Sequence, residues 1–204
     1  MSSKADKTPK GQKQTIFTIG HSTRTFNQFV EFLQAHGIER VIDIRTIPRS
    51  RRNPQYSLDT LGPALEAAGI NYVHLKELGG LRRPKPDSKN VGWRNASFRG
   101  YADYMATPEF EIALSRAIEL SQSKASVLMC AEAVPWRCHR SLVADALTAR
   151  KFAVKHIMSA NIANEHELTP FAQVRGEKIT YPSEKPARRK SASDESKQQL
   201  KMKL

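Results

Sequence analysis

Apolar residues along the 204-residue chain fall into two kinds of segment that take turns. Short aliphatic or β-branched runs end in polar residues, whereas the stretches between them space their apolar residues by three and four. Residues 14–19, 40–45, 70–75, 126–131 and 152–158 are the short runs and predict buried strands. After the first, Thr25 and Gln28 have the spacing of a capping box, and Phe26, Phe29, Val30 and Leu33 fall at i, i+3, i+4 and i+7, so a helix runs to about Gly37. Residues 57–68 predict a second helix despite Gly62-Pro63, closed by Gly69. A helical turn follows at 101–105. Thr107-Pro108 then caps a helix carrying Phe110, Ala113, Leu114, Ala117 and Ile118 on one face. Pro135 followed by Leu142, Val143, Ala146 and Leu147 predicts the last helix.

Strand and helix thus alternate four times before a final strand, which predicts a single α/β domain of about five mainly parallel strands with helices on both faces. Residues 161–182 are mixed and are expected at the domain edge, with a short helix and a small strand at 179–181. Two segments lack periodicity. Residues 46–55 form a basic loop with Arg49, Arg51 and Arg52 between Pro48 and Pro54. Residues 76–100 combine Gly79-Gly80, Pro84 and Pro86 with Trp93 and a series of basic residues, and a loop this long predicts a lid over a site. Residues 1–13 read as a disordered basic arm, 14–182 as the domain and 183–204 as a disordered basic tail.

Charge changes the picture of partners. Residues 1–14 hold four Lys against one Asp, and residues 183–204 hold seven Lys/Arg against three Asp/Glu, so about half of the net charge of +13 lies at the ends. Ends and domain alike favour an anionic small molecule or nucleic acid, the latter held non-specifically through tails and loops. With two cysteines, no apolar N-terminal run and no stretch of about 18 apolar residues, the chain is expected to be cytoplasmic, with reduced thiols and no membrane contact. Oligomeric state has no signature in the sequence.

Chemistry concentrates at the junction spanning residues 126–141, which holds both cysteines together with Glu132, Arg137, His139 and Arg140. In a parallel sheet this turn lies at the carboxyl end of a strand, where helix N-termini present free N–H groups. His21, Asp43, Arg45, His74 and Glu77 end or follow other strands and would share its rim. A thiol beside arginines at a helix start is stabilised as the thiolate, which makes Cys138 a candidate nucleophile by electrostatics and Cys130 one by position, the other serving as a resolving thiol. Glu132 is a candidate acid or base, and His21 or His139 a proton shuttle. Cys130, Glu132, Cys138, His139, Arg140 and His21 form the candidate catalytic set. Ser22, Asp43, Arg45, Gly79, Gly80 and Tyr101 are the candidates for holding substrate. A metal alternative uses Cys130, Cys138, His139 and His21, although Cys-x7-Cys-His is not a common zinc spacing and adjacent Cys138 and His139 on a helix would point about 100° apart. No cofactor is expected. Walker, Gly-x-Gly-x-x-Gly and Gly-x-Ser-x-Gly motifs are absent from the sequence, which counts against P-loop, dinucleotide and serine-hydrolase chemistry.

Residues 18–22 (Thr-Ile-Gly-His-Ser), Asp43-Ile44-Arg45 with Pro48 and Ser50, Leu78-Gly79-Gly80, residues 98–105, and Cys130-Ala131-Glu132 with Pro135 and Cys138-His139-Arg140 together resemble the domain of unknown function 488 family over about residues 15–182. The resemblance implies a bacterial-type α/β domain and no defined reaction. A distant topological likeness to rhodanese- and phosphatase-like domains rests on the order Asp43-Ile44-Arg45, Cys130, Arg140-Ser141. It implies a rhodanese-like or Rossmann-like three-layer fold, with Cys130 as nucleophile in a cradle of loop amides. The loop here is longer than in those domains, and Arg137 comes one residue late for Cys-x5-Arg. Three readings of function remain: a cysteine-dependent transferase or hydrolase acting on a nucleotide or nucleic acid, a non-catalytic nucleic-acid-binding module whose Cys-His-Arg turn is structural, and a Cys/His metal-binding protein.

Overall fold

The computed structural model describes residues 14–183; the arm 1–13 and all but the first residue of the tail 183–204 lie outside the described residues. Six strands form the main sheet: β1 (Thr15–Gly20), β2 (Arg40–Asp43), β3 (Asn71–His74), β4 (Ser126–Cys130), β5 (Ala153–Ser159) and β6 (Ile162–Glu165), in the order β3-β2-β4-β1-β5-β6. The first five are parallel, as the alternation predicts, and β6 runs antiparallel on the β5 edge. Five helices cover the sheet: α1 (Phe26–Ala35), α2 (Leu58–Ala67), α3 (Ala96–Tyr104), α4 (Pro108–Ser123) and α5 (Arg140–Ala149).

The period of two along each strand decides which layer a side chain joins. Val127 and Met129 of β4 face the layer of α1 and α2, packing with Phe29, Leu33, Leu61 and Leu65. Leu128 and Cys130 face the layer of α3, α4 and α5, with Tyr101, Leu114, Leu142 and Val143. Both layers are fully buried apolar clusters, and each such side chain contributes about 1.5–3 kcal/mol. Helix α1 starts at the predicted capping box, with Thr25 and Gln28 exchanging hydrogen bonds. Helix α2 continues through Gly62-Pro63, where a Cβ on Gly62 would come within 3.2 Å of the Tyr72 ring.

Four expectations are corrected. Strand β2 stops at Asp43 because its carboxylate accepts the Arg45 N–H at 3.0 Å, turning the chain out of the sheet. Helix α3 starts at Ala96, five residues earlier than the predicted turn, because Asn95 Oδ1 accepts the N–H groups of Ser97 and Phe98. The last helix starts at Arg140: Pro135–Arg137 makes a single 3-10 turn and Cys138 is extended. The short helix expected within 161–182 is absent among the described residues. That segment instead pairs with β5 as β6, and then forms a hairpin of β7 (Gln173–Arg175) and β8 (Lys178–Thr180).

Strand β4 lies between β1 and β2, whose following helices take the opposite face of the sheet from α5. Its carboxyl end is therefore a topological switch point, where an α/β sheet opens a crevice. Cys130 is the last residue of that strand, in register with Gly20 of β1.

Candidate functional site

The segment from Ala131 to His139 leaves β4, closes over the end of β1 and returns into α5. It lies so close to β1 that a Cβ on Gly20 would stand 1.7 Å from the Glu132 carbonyl oxygen. Arg140, only 1 % exposed, reaches back from the start of α5 and donates to the carbonyls of Glu132 (3.1 Å) and Ala133 (3.3 Å). Its Nε has no partner among the described residues. The guanidinium is therefore a brace for the loop and a buried positive charge behind the thiols.

Both cysteines are free and buried, and with a ring nitrogen of His139 they place three donor atoms within 4.8 Å of one another. The Cys138 thiol lies 3.7 Å from His139 Nδ1 and accepts the Arg140 N–H at 3.4 Å, so sulfur takes the place of a side-chain cap on α5. The opposite ring nitrogen, Nε2–H, donates to the Ile44 carbonyl at 3.2 Å, which fixes the tautomer and leaves Nδ1 as the acceptor facing the Cys138 thiol. Burial pushes His139 down to about 4, so the ring is neutral near pH 7. The hydrogen bond from Cys138 lowers the Cys130 pKa, as do the Arg140 charge and the amides of Ala131 and Glu132, against the opposing effect of burial. Cys138 moves well up, because that same bond and burial keep its proton on. Cys130 is thus the thiol that ionises first.

The facing wall comes from β2 and β1. Asp43 is fully buried and holds Arg45 through Nε (2.9 Å) and Nη2 (2.5 Å), while Tyr72 donates to the same carboxylate at 2.7 Å. Arg45 Nη1 donates to His21 Nε2 at 3.2 Å, and His21 Nδ1–H donates to the Ser22 carbonyl at 2.8 Å. His21 stacks on Tyr56 at 4.0 Å. Burial lowers its pKa to about 4.

Two connected cavities open between these walls. One, of about 320 Å³, has Cys130, Cys138 and His139 in its lining, with Arg45, Arg137, Phe98 and Tyr101 around them. The other, also about 320 Å³, is polar and includes His21, Ser22, Arg49, Ser50 and Asn53. They share Arg45, Ile47, Ala131 and Glu132. Ser22 (φ 52°) and Leu81 (φ 59°), two non-glycine residues in the left-handed region, border this cleft. Backbone strain of this kind collects at functional sites.

The sequence-predicted residues take different places. Cys130, Glu132, Cys138, His139, Arg45, Ser22, Gly80 and Tyr101 line the cleft. Arg140 is turned to the loop carbonyls instead. Asp43 acts through Arg45. Gly79 is outside the cleft: a Cβ there would meet Thr46 Oγ1 at 2.4 Å, so it serves close packing. Gly80 lets the chain pass His139, whose Nδ1 would be 2.9 Å from an added Cβ. Tyr101 offers only its ring, since its hydroxyl donates to the Leu78 carbonyl at 2.7 Å. His21 has both nitrogens engaged, one of them by a cation, which removes it from the set of metal donors. His74 donates to the Arg45 carbonyl at 2.8 Å. The loop expected as a lid forms a side wall, tied down where Asp103 accepts from Lys85, Ser88 and Asn90.

Residues 25–147 match the family described as Domain of unknown function DUF488. The chain belongs to this family. No curated protein and no solved structure matches it. The DUF488 match begins at the cap of α1 and ends inside α5, a narrower span than the motif resemblance over 15–182. It takes in Asp43, Arg45 and the whole Cys130 to Arg140 turn, and leaves out His21 and Ser22.

Sequence reasoning missed Ile47, Phe98, Tyr72 and Tyr56, none of which carries a local signal for its role. It also missed a second polar cluster on the far side of the loop. There Thr18 donates to His156 Nδ1 (2.6 Å), His156 Nε2–H to His166 Nδ1 (2.9 Å), and His166 Nε2–H to Asp145 (2.8 Å). Both histidines face a cavity of about 430 Å³ with Trp93, Trp136 and Phe171. That cavity is larger than the thiol one, but its lining holds no thiol, and its imidazoles are committed to one another and to Asp145. No helix among the described residues is long and apolar enough to cross a membrane.

Proposed function

We propose that this DUF488 protein is an enzyme acting on an anionic substrate of the nucleotide or nucleic-acid class, with the Cys130 sulfur as the reacting group. One observation carries the reading. The sulfur at the switch point of the sheet lines a cleft that runs past Arg137 and continues to Arg49, and it has a second thiol and loop amides around it. Arginine suits phosphate and carboxylate groups through paired hydrogen bonds, and an anion drawn to these side chains would rest beside the thiolate. In that reaction the Cys130 sulfur bonds to the electrophilic phosphorus or carbon of the bound group as the bond from that atom to its leaving group breaks. The leaving group takes up a proton from Glu132 or water, and water then cleaves the new bond to sulfur and restores the thiol; Glu132 lies at the junction of the two cavities.

Alkylation with iodoacetamide, read residue by residue by mass spectrometry, tests this. Cys130 is expected to be modified before Cys138, and inorganic phosphate, a 5′-mononucleotide or a short single-stranded oligonucleotide is expected to slow the modification saturably. Equal inertness of both thiols in the folded protein, or modification that ignores all three anions, would sink the proposal. The binding-module reading is favoured by the exposed Arg51, Arg52, Arg83 and Arg94 on the two basic loops. It predicts oligonucleotide binding unchanged in Cys130→Ser, with no anion effect on the thiol.

A further inference from the structure

We propose that Cys130, Cys138 and His139 form a binding site for one thiophilic metal ion of the Zn²⁺ type, held by two thiolates and His139 Nδ1, with the fourth position open to the cleft. This goes beyond the reading above and competes with it for one atom, since an ion in this site ties up the Cys130 sulfur.

Ligand atoms around a tetrahedral zinc lie about 3.5–3.8 Å apart, given Zn–S near 2.3 Å and Zn–N near 2.0–2.1 Å. The Cys138 sulfur and His139 Nδ1 are 3.7 Å apart, and all three donors fall within 4.8 Å, so small side-chain rotations close the set. The objection that neighbouring residues diverge applies to a helix. Cys138 is extended (φ −135°, ψ 144°) and His139 caps α5, so the two side chains converge.

The surroundings are those a metal site needs. A ligating histidine ordinarily donates its other N–H to a carbonyl or carboxylate, which fixes the tautomer and aims the ring. His139 does this at the Ile44 carbonyl. Thiolate ligands are steadied by N–H donors and nearby positive charge; Cys138 accepts from the Arg140 backbone, and the buried Arg140 guanidinium lies behind both sulfurs. All three donors line the same cavity, so the fourth position faces water or an anion. Two sulfurs and an imidazole select Zn²⁺, Co²⁺ or Cu⁺ over Mg²⁺ and Ca²⁺, which take oxygen.

The test uses reduced, metal-free full-length protein and Co²⁺ alone, read by its visible absorption, followed by displacement with Zn²⁺. One equivalent of tetrahedral Co²⁺ with sulfur charge-transfer bands is expected, and Zn²⁺ should protect both cysteines from iodoacetamide. Cys138→Ser and His139→Gln should each weaken binding at least about 100-fold. Gly80→Ala keeps every ligand but presses on Nδ1, and should weaken it by about 10-fold or more. Absence of the bands, competition by Mg²⁺ or Ca²⁺ at matched concentration, or affinity unchanged in all three variants overturns the site. A protein that takes no metal yet alkylates at Cys130 overturns this inference and leaves the thiol reading intact. Metal binding with Cys130 inert and anion-insensitive in the metal-free protein does the reverse.

Discussion

On the β2 side of the cleft, Asp43, Arg45, Tyr72 and His21 form a closed circuit in which the carboxylate, the guanidinium and both imidazole nitrogens have partners within the protein. On the β4 side, the Cys130 sulfur faces the cavity with acceptor capacity to spare, and the only protein partner of His139 Nδ1 among the described residues is the long, weak contact with the Cys138 thiol, the segment being held by Arg140 and by the Ile44 carbonyl. Both sides are buried and rich in charge, so burial and charge do not separate a site from its frame. Whether the hydrogen-bonding capacity is already satisfied does separate them. The β2 side should answer to substitution in stability, and the β4 side in reactivity.

Asp43→Asn should break the frame most, costing about 3–5 kcal/mol of unfolding free energy by leaving the buried Arg45 without its counter-charge. Urea denaturation measures it, and a cost under about 1 kcal/mol would mean the circuit is not what holds that wall. Arg140→Met comes next, at about 2–3 kcal/mol for the two loop carbonyls left without their donor. Unlike the first, it should also narrow the preference of iodoacetamide for Cys130, to which the Arg140 charge contributes after the Cys138 hydrogen bond.

Acid sharpens the comparison further. His21 and His156 have folded pKa values pushed by burial to about 4 and about 3, from an ordinary 6.5. His156 is faced by Thr18 and His166, with Asp145 and Arg140 beyond; His21 by Arg45, with Asp43 and Arg24 near. Because the unfolded chain takes up these protons first, their contribution to stability is full above pH 6.5 and is lost as the pH falls towards 4 and 3. His21→Gln and His156→Gln should flatten that acid limb of the stability curve; an unchanged limb would assign it to other groups.

Cys138→Ala should cost about 0.5–1.5 kcal/mol yet slow alkylation of Cys130 by about tenfold, through the loss of the neighbouring hydrogen-bond donor that favours its ionised form. The smallest change is expected from Arg137→Ala. This exposed residue should leave stability within about 0.5 kcal/mol while weakening anion protection of Cys130 a few-fold.

The parallel strands and the amphipathic helices were legible because period two and period three-to-four are read within a short window. Asp43, Arg45, Cys130 and Cys138 were legible as a group because each ends a strand or opens a helix, and a parallel sheet brings those ends to one edge. What escaped depends on contacts far apart in the chain. Tyr72 reaches Asp43 and Tyr56 stacks on His21 with nothing nearby in the sequence to announce either. Arg140 looked like a catalytic residue by its place in the turn, and only the path of the loop around Gly20 shows that its donors meet backbone oxygens instead. Gly79 looked like a residue for holding substrate, and its neighbour Thr46 makes it a packing one. The antiparallel β6 was hidden because residues 162–165 alternate too weakly to mark a strand without β5 beside them.

The brace formed by Arg140 bears on how a ligand would arrive. Swinging the loop open would strand a buried guanidinium and two carbonyls together, so the aperture over Cys130 is set before encounter. Association should therefore follow a single exponential whose rate rises linearly with ligand concentration, without the plateau that a slow gating step imposes.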